Sequence, residues 1–195
     1  MLVQDSSGAA VRQRANNNTC VLSDQRVPLH LAPSDKKGLY AMTERIFAIR
    51  PFAPGDQQAA RSLILRGLGE RFGCIDETLN PDLEDIDASY LDCGHIFLVA
   101  FCQQMLVGTA ALLIQPEQTG QIVRVSTHAL YRRQGIAYTL CLHLIDQARH
   151  HALRRLIVET THTWNDAIGL YHRLGFVQYQ CVHQEVFLQR ALCPS

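Results

Sequence analysis

A chain of 195 residues with 47 % apolar and 18 % charged residues has the length and composition of one packed domain, which excludes a wholly disordered polymer. Lys+Arg and Asp+Glu both number 18, so no global charge favours nucleic acid or an acidic membrane, and electrostatic recognition must be local. No apolar run reaches the ~18 residues of a membrane span, and the N-terminus lacks the apolar centre of a secretory signal.

Residues 1–44 carry polar stretches such as "RQRANNNTC" and "APSDKKG" with scattered apolar residues, and read as a disordered tail. Met42, just ahead of the first patterned segment, is a candidate alternative start. From residue 45 to 195 the chain reads as a single domain. Arg45 to Arg50 reads as a strand stopped by Pro51. "PGDQQAARSLILRGLGERFG" places Ala59, Leu63, Ile64 and Leu68 at near-helical spacing. "NPDLEDIDASY" reads as a second, smaller helix. "HIFLVAF", "LVGTAALLI" and "QIVRVST" read as three strands, the first two joined as a hairpin. Ala137, Leu140, Cys141, Leu144, Ile145 and Ala148 then share one helix face. "RRLIVETT" is a strand, "WNDAIGLYHRLG" a helix ended by Gly175, and "FVQYQCV" and "EVFLQRA" are two closing strands.

The seven cysteines (Cys20, Cys74, Cys93, Cys102, Cys141, Cys181 and Cys193) include no close pair at zinc-type spacing. They read as reduced thiols of a cytoplasmic protein, and no metal is expected.

The stretch "YRRQGIAYTL" puts Arg132, Arg133 and Gly135 at the start of a helix. A helix N-terminus leaves N–H groups without internal partners and favours an anion, and glycine lets a phosphate approach the backbone. Alone, this also describes a solvated turn with a basic cap. Arg132, Gly135 and Ala137, with the preceding "VRVST" and the later "AIGLYHRLGF", resemble the motifs of the GNAT superfamily of acyl-CoA-dependent N-acyltransferases. The resemblance covers about residues 45 to 190.

That resemblance implies an α/β fold with a mixed, mostly antiparallel sheet of six to seven strands flanked by about four helices. It implies acetyl-CoA as co-substrate and transfer of an acetyl group to a primary amine by direct attack in a ternary complex. Val125, Ser126 and Thr127 would bind the pantetheine arm and acetyl carbonyl; Gln134, Gly135, Ile136, Ala137 and Tyr138 would meet the pyrophosphate, flanked by Arg132 and Arg133. Tyr171 matches the tyrosine that protonates the departing thiolate. Glu159, twelve residues earlier, is the candidate base, with His128 and Glu70 in reserve and His162 behind them. Many members carry asparagine seven residues before the tyrosine; here Trp164 stands there, and either Asn165 replaces it or Trp164 stacks near the cofactor or substrate.

The acceptor is expected between the first helices and the last hairpin. Asp76, Glu77, Asp82, Glu84, Asp85 and Asp87 would attract a cationic amine or form a solvated face, whereas Arg71 beside Phe72 would bind a substrate carboxylate. Cys74 lies nearby without an activating partner. The expected partner is a small-molecule amine or a peptide amino terminus, acting on a monomer or homodimer. The alternative function is a non-catalytic acyl-CoA sensor or interaction module; a nucleic-acid-binding module has no basic stripe behind it.

Overall fold

The computed structural model describes residues 47–74 and 77–192. The expectations for the tail, for Met42 as a start and for Cys20, Asp76 and Cys193 lie outside the described residues, as does the beginning of the first strand.

Seven strands form one sheet in the order β1-β2-β3-β4-β5-β7-β6. They are β1 (Ala48–Pro51), β2 (Ile96–Cys102), β3 (Met105–Gln115), β4 (Thr119–Thr127), β5 (Arg155–Thr161), β6 (Val177–Val182) and β7 (Glu185–Ala191). β4 and β5 are parallel, and every other pair is antiparallel. Pro51 is the last residue of β1, at a sheet edge, where its missing N–H leaves no gap in the ladder. The helices are α1 (Gln57–Phe72), α2 (Ile136–His150) and α3 (Asn165–Arg173), with a π-helical segment at Asp87–Leu91. The expected second helix is therefore broken. Glu77–Leu79 and Pro81–Leu83 are separate 3-10 turns preceding the π segment. Pro81 opens its own turn, and Asp82 is drawn out of any helical face by Arg124 and Tyr90.

Strand alternation divides the core between two faces. Phe97 and Val99 of β2 pack with Leu63, Ile64 and Tyr90 on the α1 face. Leu98 and Ala100 pack with Leu140, Leu144 and Ile145 of α2 and with Leu170 and Tyr171 of α3. Two glycines permit the second face to close. A Cβ on Gly108 would stand 2.6 Å from Ile136 and 3.0 Å from Leu140, so the first turn of α2 rests directly on the β3 backbone. A Cβ on Gly120 would come within 2.7 Å of Leu156 and 2.8 Å of Leu112.

Two features of β4 shape the site. Its pairing with β5 runs from Thr119↔Arg155 to Ile122↔Val158 and goes no further, so Val123–Thr127 separate from Glu159–Thr161. The β3–β4 register also slips: Thr109 faces Ser126 whereas Ala111 faces Val123. Three steps on β4 oppose two on β3, which is a bulge, and bulges bend and twist a strand. Arg124 sits within it at φ 54°, an uncommon conformation for a side-chain-bearing residue. Its guanidinium bonds Asp82 at 2.5 and 2.9 Å and Asn80 at 2.8 Å, while Tyr90 donates its hydroxyl to Asp82 at 2.5 Å. Thr109 Oγ1 donates to the Arg124 carbonyl at 2.9 Å. Asp82 thus anchors the bulge instead of forming part of an open acidic surface. Glu77 pairs with Arg61 at 2.5 Å, and Asp85 accepts the Ala88 N–H, so these acids also serve the fold.

Candidate active site

The parting of β4 from β5 opens a cavity of about 1120 Å³. Its walls are the free stretch of β4, the first turn of α2, the start of α3 and the last turns of α1. Val125, Ser126, Thr127, Arg132, Arg133, Gly135, Ile136, Ala137, Tyr138 and Asn165 all line it. Gln134 does not; its amide turns back to donate to the Leu130 carbonyl at 3.4 Å. Gly67 and Leu68 of α1 and Arg173 of α3 line the cavity too. Gly67 brings α1 close to β4, since a Cβ there would stand 3.7 Å from Ser126 Oγ.

The turn into α2 is shaped by two residues in the left-handed region, Arg133 at φ 64° and Gly135 at φ 83°. A Cβ on Gly135 would meet nothing within 4 Å of the protein, so the glycine answers to its φ and to whatever enters the cavity. The N–H groups of Ile136, Ala137 and Tyr138 fall in the first turn of α2 and have no intrahelical acceptor. Arg71, Arg132, Arg133 and Arg173 face the cavity against one carboxylate, Asp166. Exposed helix-opening N–H groups in an arginine-rich cavity suit a phosphorylated, anionic ligand.

Arg132 is paired with Glu70 and also donates to the Thr127 carbonyl at 3.3 Å. Arg71 bonds Asp166 through both terminal nitrogens, at 3.1 and 2.7 Å, and lies 4.4 Å over the Trp164 ring. Phe72 meets the same indole, with ring centroids 5.2 Å apart. The guanidinium expected to meet a substrate carboxylate therefore has a carboxylate from its own chain. Arg71 holds Asp166 below the usual carboxylate range. Trp164 precedes α3 and ties it to the end of α1, while Asn165 behind it reaches the cavity.

Tyr171 lines the cavity from α3 and is 6 % exposed. Burial, then the nearby Cys141, raises its phenol well above the usual value, so the hydroxyl is protonated at neutral pH. Burial likewise pushes the Cys141 thiol up to about 12. Glu159 is not among the lining residues; it follows directly on the last β4–β5 rung, half-buried. Burial, then the side chain of Glu185, pushes its carboxyl up to about 7. Of the reserve bases, Glu70 is occupied by Arg132. His128 packs edge-on to Tyr131 with its Nδ1 buried and unpartnered, and His162 Nδ1 lies against the Gln184 carbonyl. Among the described residues no cluster of three or more His, Cys, Asp or Glu could hold a metal.

The strand that leaves its neighbour, the helix mouth behind it and the buried tyrosine bound one cavity suited to an elongated, phosphate-bearing ligand. A model of the "Acetyltransferase (GNAT) family" matches residues 64–176, and the chain belongs to that family. It is 33 % identical to N-acetyltransferase 8B of Homo sapiens over 108 residues, 52 % of this chain and 48 % of that protein. The chain thus spans about half the length of the curated relatives it matches. A GNAT acetyltransferase from Staphylococcus aureus Mu50 has the same fold, with a TM-score of 0.70 at 22 % identity over 75 % of this chain and 99 % of that one. An N-acetyltransferase from Thermoplasma acidophilum, solved in complex with coenzyme A, superposes with a TM-score of 0.63 at 14 % identity over 75 % of this chain and 99 % of that one. Among the described residues, the mixed seven-stranded sheet flanked by three α-helices and the π-helical segment agrees with the expected architecture.

Proposed function

We propose that this chain is an acetyl-CoA-dependent N-acetyltransferase that moves an acetyl group to a primary amine by direct attack. The observation that carries the proposal is the cavity where β4 leaves β5, closed at one end by the Gly135 turn and faced by Tyr171. Val125–Thr127 keep their pairing with β3, and on the edge released from β5 their backbone would bond the pantetheine arm and polarise the thioester carbonyl. N–H groups aimed at the developing oxyanion stabilise it more than they stabilise the starting carbonyl. The first turn of α2 takes the pyrophosphate, with Arg132 and Arg133 flanking it.

The reaction converts an ammonium and a thioester into an amide, a thiol and one free proton. The ammonium loses its first proton to a base, for which Glu159 is the candidate. The nitrogen forms its bond to the acyl carbon, the carbon–sulfur bond breaks, and the second proton reaches the thiolate through Tyr171. Peptide amino termini and small amines are the proposed acceptors; Arg71, engaged by Asp166, is not held ready for a substrate carboxylate. Free thiols at Cys74, Cys102, Cys141 and Cys181 support a reducing, cytoplasmic setting. No described helix is long and apolar enough to cross a membrane.

The test is acetyl-CoA turnover across polyamines, amino acids, aminoglycosides and peptides with free amino termini, beside calorimetric coenzyme A binding. Transfer to at least one amine is expected. Binding without transfer to any of them would favour the sensor. Gly135→Val should weaken coenzyme A binding by about tenfold or more: a β-branched residue in the left-handed region costs about 1–2 kcal/mol, and its methyls project where phosphate must approach. Unchanged affinity would remove the helix mouth from the cofactor site.

A further inference from the structure

α1 covers the β2–β4 part of its face, and no helix among the described residues covers the same face of β5, β7 and β6. Leu156 and Val158 point into the α2–α3 core, so strand alternation puts Ile157, Glu159 and Thr161 on this uncovered face. The antiparallel register aligns Glu159 with Phe187 and Thr161 with Glu185. Glu159 and Glu185 are therefore diagonal neighbours on one face, close enough for long side chains to meet. Both are half-buried, and Glu159 stands where β4 parts from β5, with Glu185 one strand further on in β7.

We propose that Glu159 and Glu185 act as one proton-sharing carboxyl pair on the acceptor side of the cleft, Glu159 receiving the ammonium's proton and Glu185 positioning that carboxyl and setting the pH at which it accepts. The inference rests on the acetyltransferase reading and on Glu159 as its base. The chemistry is that of two carboxyls too close to ionise independently: the first proton is held between them, the second deprotonation is deferred. The deferral also shows in the upward displacement of Glu159, caused by burial first and Glu185 second.

Among the described residues no ion pair joins Glu159 or Glu185 to a cation. On β5 the neighbours on that face are Ile157 and Thr161, and on β7 Phe187. Across the gap, the Arg124 guanidinium of β4 is bound to Asp82, and on α1 Glu70 is bound to Arg132. His162 and His183 belong to the adjoining turns, with His162 Nδ1 against the Gln184 carbonyl. Fully ionised, the pair presents two carboxylates to an incoming ammonium. It takes one proton, becomes a singly charged pair sharing that proton, and releases the amine to attack; the proton later leaves to solvent.

A coupling of this kind moves a pKa by about one unit or more, which makes the inference measurable. The test is a titration of the protein labelled with ¹³C at glutamate side chains, without ligand, followed by the pH profile of kcat/KM with the best acceptor of the amine panel. A carboxyl titrating near 7 is expected in the wild type. It should vanish in Glu159→Gln and move about one pH unit to acid in Glu185→Gln, with the acid limb of kcat/KM moving alongside. Glu185→Ser provides the same reading should the glutamine variant fold poorly. If replacing Glu185 leaves the signal and the limb in place, the pair is overturned. If Glu159→Gln keeps wild-type turnover, the base assignment fails instead, and the titration still reports whether the two carboxyls share a proton.

Discussion

Tyr171→Phe should lower kcat about 100-fold while changing coenzyme A affinity by less than about twofold, because positioned proton transfer contributes roughly 10²–10⁴ in rate. The side chain is buried against Phe176, with ring centroids 5.8 Å apart, and phenylalanine keeps that packing. What is lost is one hydroxyl facing the cavity. Its raised pKa raises an objection, since a phenol so reluctant to ionise is a poor acid toward an ordinary thiolate. The leaving group is displaced in the same sense: a thiolate expelled beside the buried Tyr171 ring, with cofactor and acceptor filling the cleft, is desolvated and becomes a stronger base, which narrows its gap from the phenol. Single-turnover kinetics with acetyl-CoA and an accepted amine checks the expectation. A rate unchanged by the substitution would assign the tyrosine to packing alone.

Local signals in the sequence picked out many of the residues that line this candidate cavity. The apolar face of α2, the Gly135 turn and the glycine at 175, which takes φ 80° after α3, are each set by residues a few positions apart. Backbone chemistry at the helix mouth could be read for the same reason. What escaped depends on pairings across long stretches of chain. Arg124 and Asp82 are separated by 42 residues and Arg71 and Asp166 by 95, and neither partner marks the other in the sequence. Arg71 accordingly read as a free substrate ligand, and the acidic segment read as one helix. Glu185 had no motif to announce it. Its meaning depends on the β5–β7 register, which brings it beside Glu159. Gly108 read only as a strand residue and Gly120 as part of a connection until α2 and β5 are laid against them.

Arg124→Met should destabilise the fold by about 3 kcal/mol and weaken coenzyme A binding as well, although Arg124 does not line the cavity. The side chain of Arg124 is 14 % exposed and that of Asp82 26 %, so removing the guanidinium strands a largely buried carboxylate with the Tyr90 hydroxyl as its remaining strong donor. Losing one member of a buried pair costs about 3–5 kcal/mol, and the partial exposure of Asp82 argues for the low end. For a chain of this size that corresponds to a fall in melting temperature of roughly 6–12 °C. The functional loss follows from geometry: the bulge at Arg124 turns Val125–Thr127 away from β5, and without its anchor that stretch loses its fixed direction. A second variant separates the two consequences. Arg124→Met combined with Asp82→Leu removes both charges, and much of the lost stability should return because no buried ion is left alone. Coenzyme A binding should stay weak in that double variant if the network's task is to hold the bulge. Recovery of binding together with stability would show that the strand keeps its course without the ion pair, and that the network serves folding only.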